Sequence, residues 1–193
     1  MTRAAWLLVG LAGCLFRNPD PPRFFRPGSA TLAAASADVV DAPSTDGRAV
    51  RLRTVRSVPF LRERIVWRVS EVEYGLYEQR RWIDLPAHYV DRALRARLSA
   101  TPGLRLSDDP RAAVLHVDVL AFDEMLAPVH AANVALAAAL EAPERGLVLE
   151  RTFVAQVGIE DREPASMAKA MGQALDEAVG QVADAVRVSL LTR

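Results

Sequence analysis

Apolar and polar residues alternate along several short stretches of the chain, and alternation is the pattern of a strand with one buried face. The first stretches lie around Val50 and Leu52 and at residues 72–76; between them, residues 65–69 form a short run rich in β-branched side chains, which also predicts a strand. Three more follow at residues 115–121, 134–140 and 147–157. Residues 142–146 carry a proline and a glycine between the last two stretches, which predicts a hairpin turn. The pattern therefore predicts one group of strands, and then a three-strand meander.

Two longer segments repeat their apolar residues every three or four positions, as a helix with one buried face does. One begins at Pro86 and ends at residues 101–103, which include a proline and a glycine. The other runs from Pro164 to about residue 190, with a predicted buried stripe of Met171, Leu175, Ala178, Val179, Val182, Val186 and Leu190. Strands, helix, meander and long helix in this order predict an α+β domain with a mostly antiparallel sheet and two main helices.

The region before residue 49 has a different character. Residues 15–48 are rich in proline, glycine and serine, which predicts an extended tether. Phe24 and Phe25 are unusual in a linker and indicate an edge strand within it. We therefore divide the chain into a signal peptide at residues 1–13, a lipidated N-terminus and tether at 14–48, and an α+β domain at 49–193.

The division at residue 14 rests on the only cysteine. Arg3 precedes an apolar run over residues 4–13, which is half the length needed to cross a bilayer as a helix but fits the core of a signal peptide. The run ends in Leu11, Ala12, Gly13 and Cys14, which resembles the lipobox of bacterial lipoproteins. In that motif signal peptidase II cleaves before the cysteine, which carries fatty acyl groups such as palmitate. The alternative is a cysteine buried in an N-terminal strand or helix.

Acylation at Cys14 would hold the chain on a membrane, because two or three acyl chains anchor a protein stably. Leu15 and Phe16 follow the cysteine. In enterobacterial lipoproteins an aspartate there retains the protein at the inner membrane. We therefore expect a lipid-anchored protein in the periplasm, at the inner leaflet of the outer membrane.

Composition excludes several classes of function. Among 193 residues, 24 basic and 24 acidic side chains give a net charge of 0, which argues against nucleic-acid binding. The three histidines, His88, His116 and His130, have no metal-ligand spacing. Phosphate-loop, dinucleotide and nucleophile-elbow motifs do not occur. The acidic pairs at 108–109 and 123–124 are interpreted as solvated caps beside turns. We expect no catalytic residue, no metal and no cofactor.

The densest aromatic stretch runs from Trp67 to Trp82. Its aromatic side chains either pack in the core and the sheet or form a contact surface for a partner. Residues 78–81, with two arginines, are expected to be exposed. Tyr77, Arg80 and Arg81 are therefore the candidate partner surface, and reversing both arginine charges is expected to leave stability nearly unchanged.

Residues 62–98 also carry a family resemblance. The run Ile65, Val66, Trp67 and Arg68, the pair at 73–74, and the run Trp82, Ile83, Asp84 and Leu85 resemble motifs of the ABC-type transport auxiliary lipoprotein family. That family includes the lipoprotein of the paraquat-inducible MCE transport system. The chain departs from the family where residues 23–26 replace a strand that contains tyrosine and leucine.

The resemblance implies a non-enzymatic accessory lipoprotein. Its partners would be the ABC transporter subunits and an MCE-domain protein that carries lipids across the cell envelope, and a homo-oligomer is a further expectation, because some members of the family form rings. The alternative is a structural or assembly lipoprotein of another outer-membrane complex. A small envelope hydrolase is disfavoured because the sequence shows no catalytic site. Neighbouring genes for an ATPase, a permease and an MCE protein would favour the transport role.

Overall fold

The computed structural model describes residues 20–36 and 47–191, and Leu11, Ala12, Gly13 and Cys14 lie outside this range. Three helices accompany nine strands in the described residues. The strands are β1 (Arg23–Phe25), β2 (Arg48–Leu52), β3 (Arg56–Ser57), β4 (Arg64–Arg68), β5 (Tyr74–Trp82), β6 (Leu104–Leu106), β7 (Ala113–Met125), β8 (Ala131–Ala142) and β9 (Gly146–Gly158). The helices are α1 (Ala30–Ser36), α2 (Pro86–Ser99) and α3 (Pro164–Leu191).

The strands form one mixed sheet around β7. On one side β7, β8 and β9 pair antiparallel, so the predicted meander is confirmed. On its other side β7 pairs in succession with β2, β3 and β4, all of them parallel to it. β6 then extends the sheet beyond β2, while β5 and β1 extend it beyond β4. The α+β class is confirmed, and the longest pairings are antiparallel, but the parallel pairs were not predicted.

The long C-terminal helix supplies one wall of the core. All seven residues of its predicted apolar stripe are buried, and Leu175 and Val182 are completely so. α3 packs on β8 and β9 and also contacts α2. Between α2 and the sheet, Trp82 lies edge-on to Tyr89 and Phe122, with ring centroids 6.4 and 5.4 Å apart. These aromatic residues therefore belong to the core.

Residues 20–36 are part of the domain, which corrects the predicted tether over 14–48. Phe24 and Phe25 do lie in an edge strand, because β1 pairs parallel with β5. Gly28 then lies against α3, where its amide donates to the carbonyl of Ala168 at 2.9 Å. The Asp176 side chain of α3 accepts hydrogen bonds from the Ser29 hydroxyl at 2.5 Å and from the Ala30 amide at 2.8 Å. We call residues 20–36 the N-terminal clasp.

β5 is longer and lies deeper in the sheet than predicted. The sequence predicts a strand near residues 72–76 and an exposed segment at 78–81. Instead one strand continues from Tyr74 to Trp82, with β4 on one side and β1 on the other. Only Glu78 of the segment 78–81 is exposed, because neighbouring strands cover the rest.

Candidate functional site

The candidate partner surface lies on β5, and its three residues are all half-buried. Arg80 stacks over the ring of Tyr77, with its guanidinium carbon 4.1 Å from the ring centroid. Arg81 is the cross-strand partner of Arg64 on one side and of Phe24 on the other. Successive side chains of a strand point to opposite faces, so Arg80 and Arg81 cannot act on the same side of the sheet. The assignment of Tyr77, Arg80 and Arg81 to a partner surface stays a prediction.

Arg80 has an internal partner in the buried carboxylate of Glu124. The two side chains approach to 3.5 Å, and the Nε2 atom of His130 lies 2.7 Å from the other carboxylate oxygen. Burial, followed by the charge of Glu124, raises the pKa of Tyr77 to about 12. The phenol therefore stays protonated at neutral pH. Arg80 offsets a buried negative charge, so the structure leads us to expect that reversing its charge lowers stability.

Asp123 forms a second buried cluster on the opposite face of β7. Its carboxylate lies 2.7 Å from the Nε atom of Arg68 and accepts a hydrogen bond from Asn133 at 2.9 Å. Gln156 of β9 then donates to the Asn133 side chain, so the polar row crosses four strands. Burial raises the pKa of Asp123, while Asn133 and Arg68 act in the opposite direction.

The two acidic residues are therefore not solvated caps. Asp123 is 1% exposed and Glu124 is 4% exposed, although both lie at the end of β7, just before the turn to β8. The sequence carries no signal of their burial, since the alternation of β7 ends before them: residues 120–122 are all apolar and 123–124 are both acidic. The partners that allow their burial come from β4, β5 and β8 and from the turn between β7 and β8. The arrangement is that of internally paired charges within the sheet.

The described part of the chain shows neither a metal-binding cluster nor a membrane-spanning helix. No group of three or more His, Cys, Asp or Glu side chains among residues 20–36 and 47–191 is placed to hold a metal ion. His88 instead contacts the carboxylate of Asp84 at 2.7 Å, near the start of α2. None of the helices described is both long and apolar enough to cross a membrane.

A cleft lies at the far edge of the sheet, between β9 and the C-terminal half of α3. It has a volume of about 890 Å³. Leu149, Arg151 and Phe153 line it from the strand, and Asp184 and Val188 line it from the helix. The guanidinium carbon of Arg151 lies 5.2 Å from the centre of the Phe153 ring. No local pattern in the sequence singles out these residues as a site, since the cleft depends on how α3 crosses β9.

A comparison with protein families identifies the family of this chain. The model of the ABC-type transport auxiliary lipoprotein component matches residues 31–183. This chain belongs to that family. The resemblance seen in the sequence is thereby confirmed, and the matched region includes part of the N-terminal clasp. The auxiliary lipoprotein is a component of ABC-type transport, and its family associates it with the cell envelope.

Solved structures share the fold of this auxiliary lipoprotein at low sequence identity. Protein XCC0632 from Xanthomonas campestris, of family DUF330, matches with a TM-score of 0.70 and 17% identity, over 86% of this chain and 95% of its own. An uncharacterized protein matches with a TM-score of 0.67 and 16% identity, over 86% and 99%. The hypothetical protein CT253 from Chlamydia trachomatis matches with a TM-score of 0.53 and 9% identity, over 76% and 99%. A comparison with curated proteins finds no match.

Proposed function

We propose that this auxiliary lipoprotein is a lipid-anchored, non-catalytic accessory subunit of an ABC transport system of the MCE type, which moves lipids across the cell envelope. The observation that carries the proposal is the family match over residues 31–183. The MCE-domain partner and the lipid cargo go beyond this match. They are proposed because residues 62–98 resemble the family that includes the lipoprotein of the paraquat-inducible system. Assembly of the subunit into a homo-oligomeric ring stays a prediction.

The anchor of the proposed subunit is Cys14, and its place in the sequence restricts how the domain is oriented. Five residues separate Cys14 from Asp20, and the six steps between consecutive Cα atoms span at most about 20 Å. The chain enters β1 from the side where β5 begins, because the two strands are parallel and Arg23 pairs with Arg80. The hairpin between β4 and β5 and the turn between β7 and β8 lie at that same end of the sheet. We call it the anchored end.

The opposite end of the sheet would face away from the membrane. It carries the starts of β2 and β7 and the turn between β8 and β9. The 12 residues of β8 run between the two ends, a length of about 40 Å. A partner that reaches the lipoprotein across the periplasm would meet this distal end first. Leu15 and Phe16, which follow the anchor without an aspartate, favour the outer membrane as its location.

Protein contact, not catalysis, is the mode of action that we propose. The most buried acidic groups, Asp123 and Glu124, are already paired with cations or hydrogen-bond donors of the same chain. Arg81 is available for a partner, because it forms no ion pair within the described residues. Catalysis requires polar groups that converge on a space for substrate, whereas these groups converge on each other.

Acyl labelling tests the anchor. Cells that express the full chain should incorporate labelled palmitate into the wild-type protein, and Cys14→Ser should abolish both the label and cleavage of the precursor. Leu15→Asp is the matched variant: it should keep the label, and in an enterobacterial host it should move the protein to the inner-membrane fraction. Label retained by Cys14→Ser would refute the anchor.

Crosslinking tests the transport role separately. The tagged wild-type chain should recover the MCE-domain protein and the ABC transporter subunits from cells that contain them. The Cys14→Ser variant, which lacks the anchor, should recover less of both. If another outer-membrane complex is recovered in their place, the chain is a structural or assembly lipoprotein.

A further inference from the structure

The edges of the sheet differ greatly in length. On one side the sheet ends in three short strands, β1, β3 and β6, of 3, 2 and 3 residues. On the other side it ends in β9, which has 13 residues and pairs only with β8 among the described strands. Proteins normally protect long edges with proline, lysine or a covering segment, since unpaired backbone groups bind other strands. β9 contains neither proline nor lysine.

The cleft beside β9 provides space for the side chains of an added strand. Its floor comes from Leu149, Arg151 and Phe153, which alternate along β9 and point towards α3. Its wall includes Val188 of α3, which is 55% exposed. A strand and a helix that flank an apolar groove are the arrangement in which extended peptides bind by strand addition. The backbone would supply affinity, and the groove would select alternate side chains.

The charges in the cleft specify the occupant further. Arg151 and Asp184 both line it, and neither forms an ion pair with any other described residue. An added strand would place one side chain directly opposite Arg151, with its neighbours two positions away opposite Leu149 and Phe153. The complementary pattern is an acidic residue with an apolar residue two positions before it and two after it.

The position of the cleft indicates where its occupant comes from. The lining residues of β9 lie around its middle, and those of α3 lie in its second half, which approaches the distal end where Arg145 of the β8–β9 turn donates to the Ser189 carbonyl. The cleft is also at the opposite edge of the sheet from β1, where the N-terminal clasp joins the sheet. We propose that the cleft between β9 and α3 binds an extended segment of a transport partner, with the pattern apolar, acidic, apolar at alternate positions, by strand addition to β9.

A short synthetic peptide tests this directly. In the probe, valine, glutamate and valine alternate with threonine, and its binding to the full-length chain in detergent is followed by fluorescence anisotropy. We expect saturable binding. A peptide with lysine in place of glutamate should bind about tenfold more weakly, since it places a cation opposite Arg151. A glutamate peptide with N-methylated alternate amides should not bind, because it cannot pair with β9.

Variants of the protein locate the binding. Val188→Asp should weaken binding of the glutamate peptide at least about tenfold, because it puts a carboxylate in the apolar wall of the cleft. Val72→Asp is the matched control, since Val72 is 91% exposed in the hairpin at the anchored end and should leave binding unchanged. Arg151→Glu should reverse the preference between the glutamate and lysine peptides. Rescue by the lysine peptide also shows that the variant is folded.

Three results would overturn the proposal. The first is that neither peptide binds, and the second is that Val188→Asp and Val72→Asp behave alike. The third is a dimer, measured by light scattering, that Val188→Asp dissociates, since a second copy would then occupy the cleft. The proposal rests on the proposed function only for the identity of the partner. Peptide binding tests the cleft, whereas acyl labelling and crosslinking test the transport role, so the two can fail separately.

Discussion

The contact between the N-terminal clasp and α3 makes Gly172→Ala an informative substitution. A Cβ atom at Gly172 would overlap the backbone of the clasp, at the carbonyl carbon of Gly28 and the amide nitrogen of Ser29. Backbone atoms cannot rotate away as a flexible side chain can. The clasp must therefore move by about an ångström to restore ordinary contact distances, because packed interiors have no spare space.

Two opposing effects decide whether Gly172→Ala raises or lowers the free energy of unfolding. Alanine in a helix interior is favoured over glycine by about 1 kcal/mol, which would stabilise α3. Displacing the clasp breaks the hydrogen bond from Gly28 to Ala168, for about 1 kcal/mol, and weakens those that the Asp176 carboxylate accepts, for about 1.5–3 kcal/mol. We expect the losses to exceed the gain, so that Gly172→Ala lowers the free energy of unfolding by about 1–3 kcal/mol.

Gly180→Ala in the same helix is the control. The nearest atom to a Cβ there is the Nη2 atom of Arg97, at 3.6 Å, which is an ordinary contact with a flexible side chain. Only the helix preference then applies, and we expect a gain of about 0.5–1 kcal/mol. Urea unfolding of both variants measures these differences. Hydrogen exchange should show faster exchange of the α1 amides in Gly172→Ala alone.

A Gly172→Ala variant as stable as Gly180→Ala would refute the predicted displacement of the clasp. The displacement would also be refuted if the α1 amides stayed protected in Gly172→Ala, because the clasp would then be in place despite the added Cβ. A loss of stability without faster exchange in α1 would mean that the cost arises elsewhere in α3.

Three further predictions concern other parts of the fold. Leu175→Ala should lower the free energy of unfolding by about 2–5 kcal/mol, because Leu175 is fully buried; an unchanged urea midpoint would contradict this. Arg80→Glu should cost about 3 kcal/mol by facing Glu124, and Glu124→Gln in the same chain should recover part of it. Burial opposes ionisation of Asp84, but hydrogen bonds, chiefly from Arg92, lower its pKa to about 2 from 3.8. Asp84→Asn should therefore destabilise at pH 7, with a difference that shrinks as pH falls from about 4 towards 2; an equal difference at both pH values would exclude this role.

The local pattern of apolar and polar residues was sufficient to predict the two main helices and the meander. The apolar stripe of α3, including Leu175 and Val182, follows from the helical period, because that period fixes which side chains share a face. The hairpin between β8 and β9 follows likewise from the proline and glycine in its turn, and Gly146 adopts the positive φ that glycine favours. The family could also be recognised from residues 62–98, because its motifs are short runs in the sequence.

The tertiary structure alone decided which segments meet. Nothing local to residues 23–25 shows that they pair with residues 80–82, or that Gly28 requires a glycine at position 172 across the fold. The same holds for Asp123 and Glu124: a carboxylate can be buried only where counter-charges arrive from other strands, as those of Arg68 and Arg80 do. The cleft at β9 likewise depends on contacts between segments that are distant in the sequence. The sequence determines the period and the faces of each element, whereas contacts between distant segments depend on packing that no short window of residues encodes.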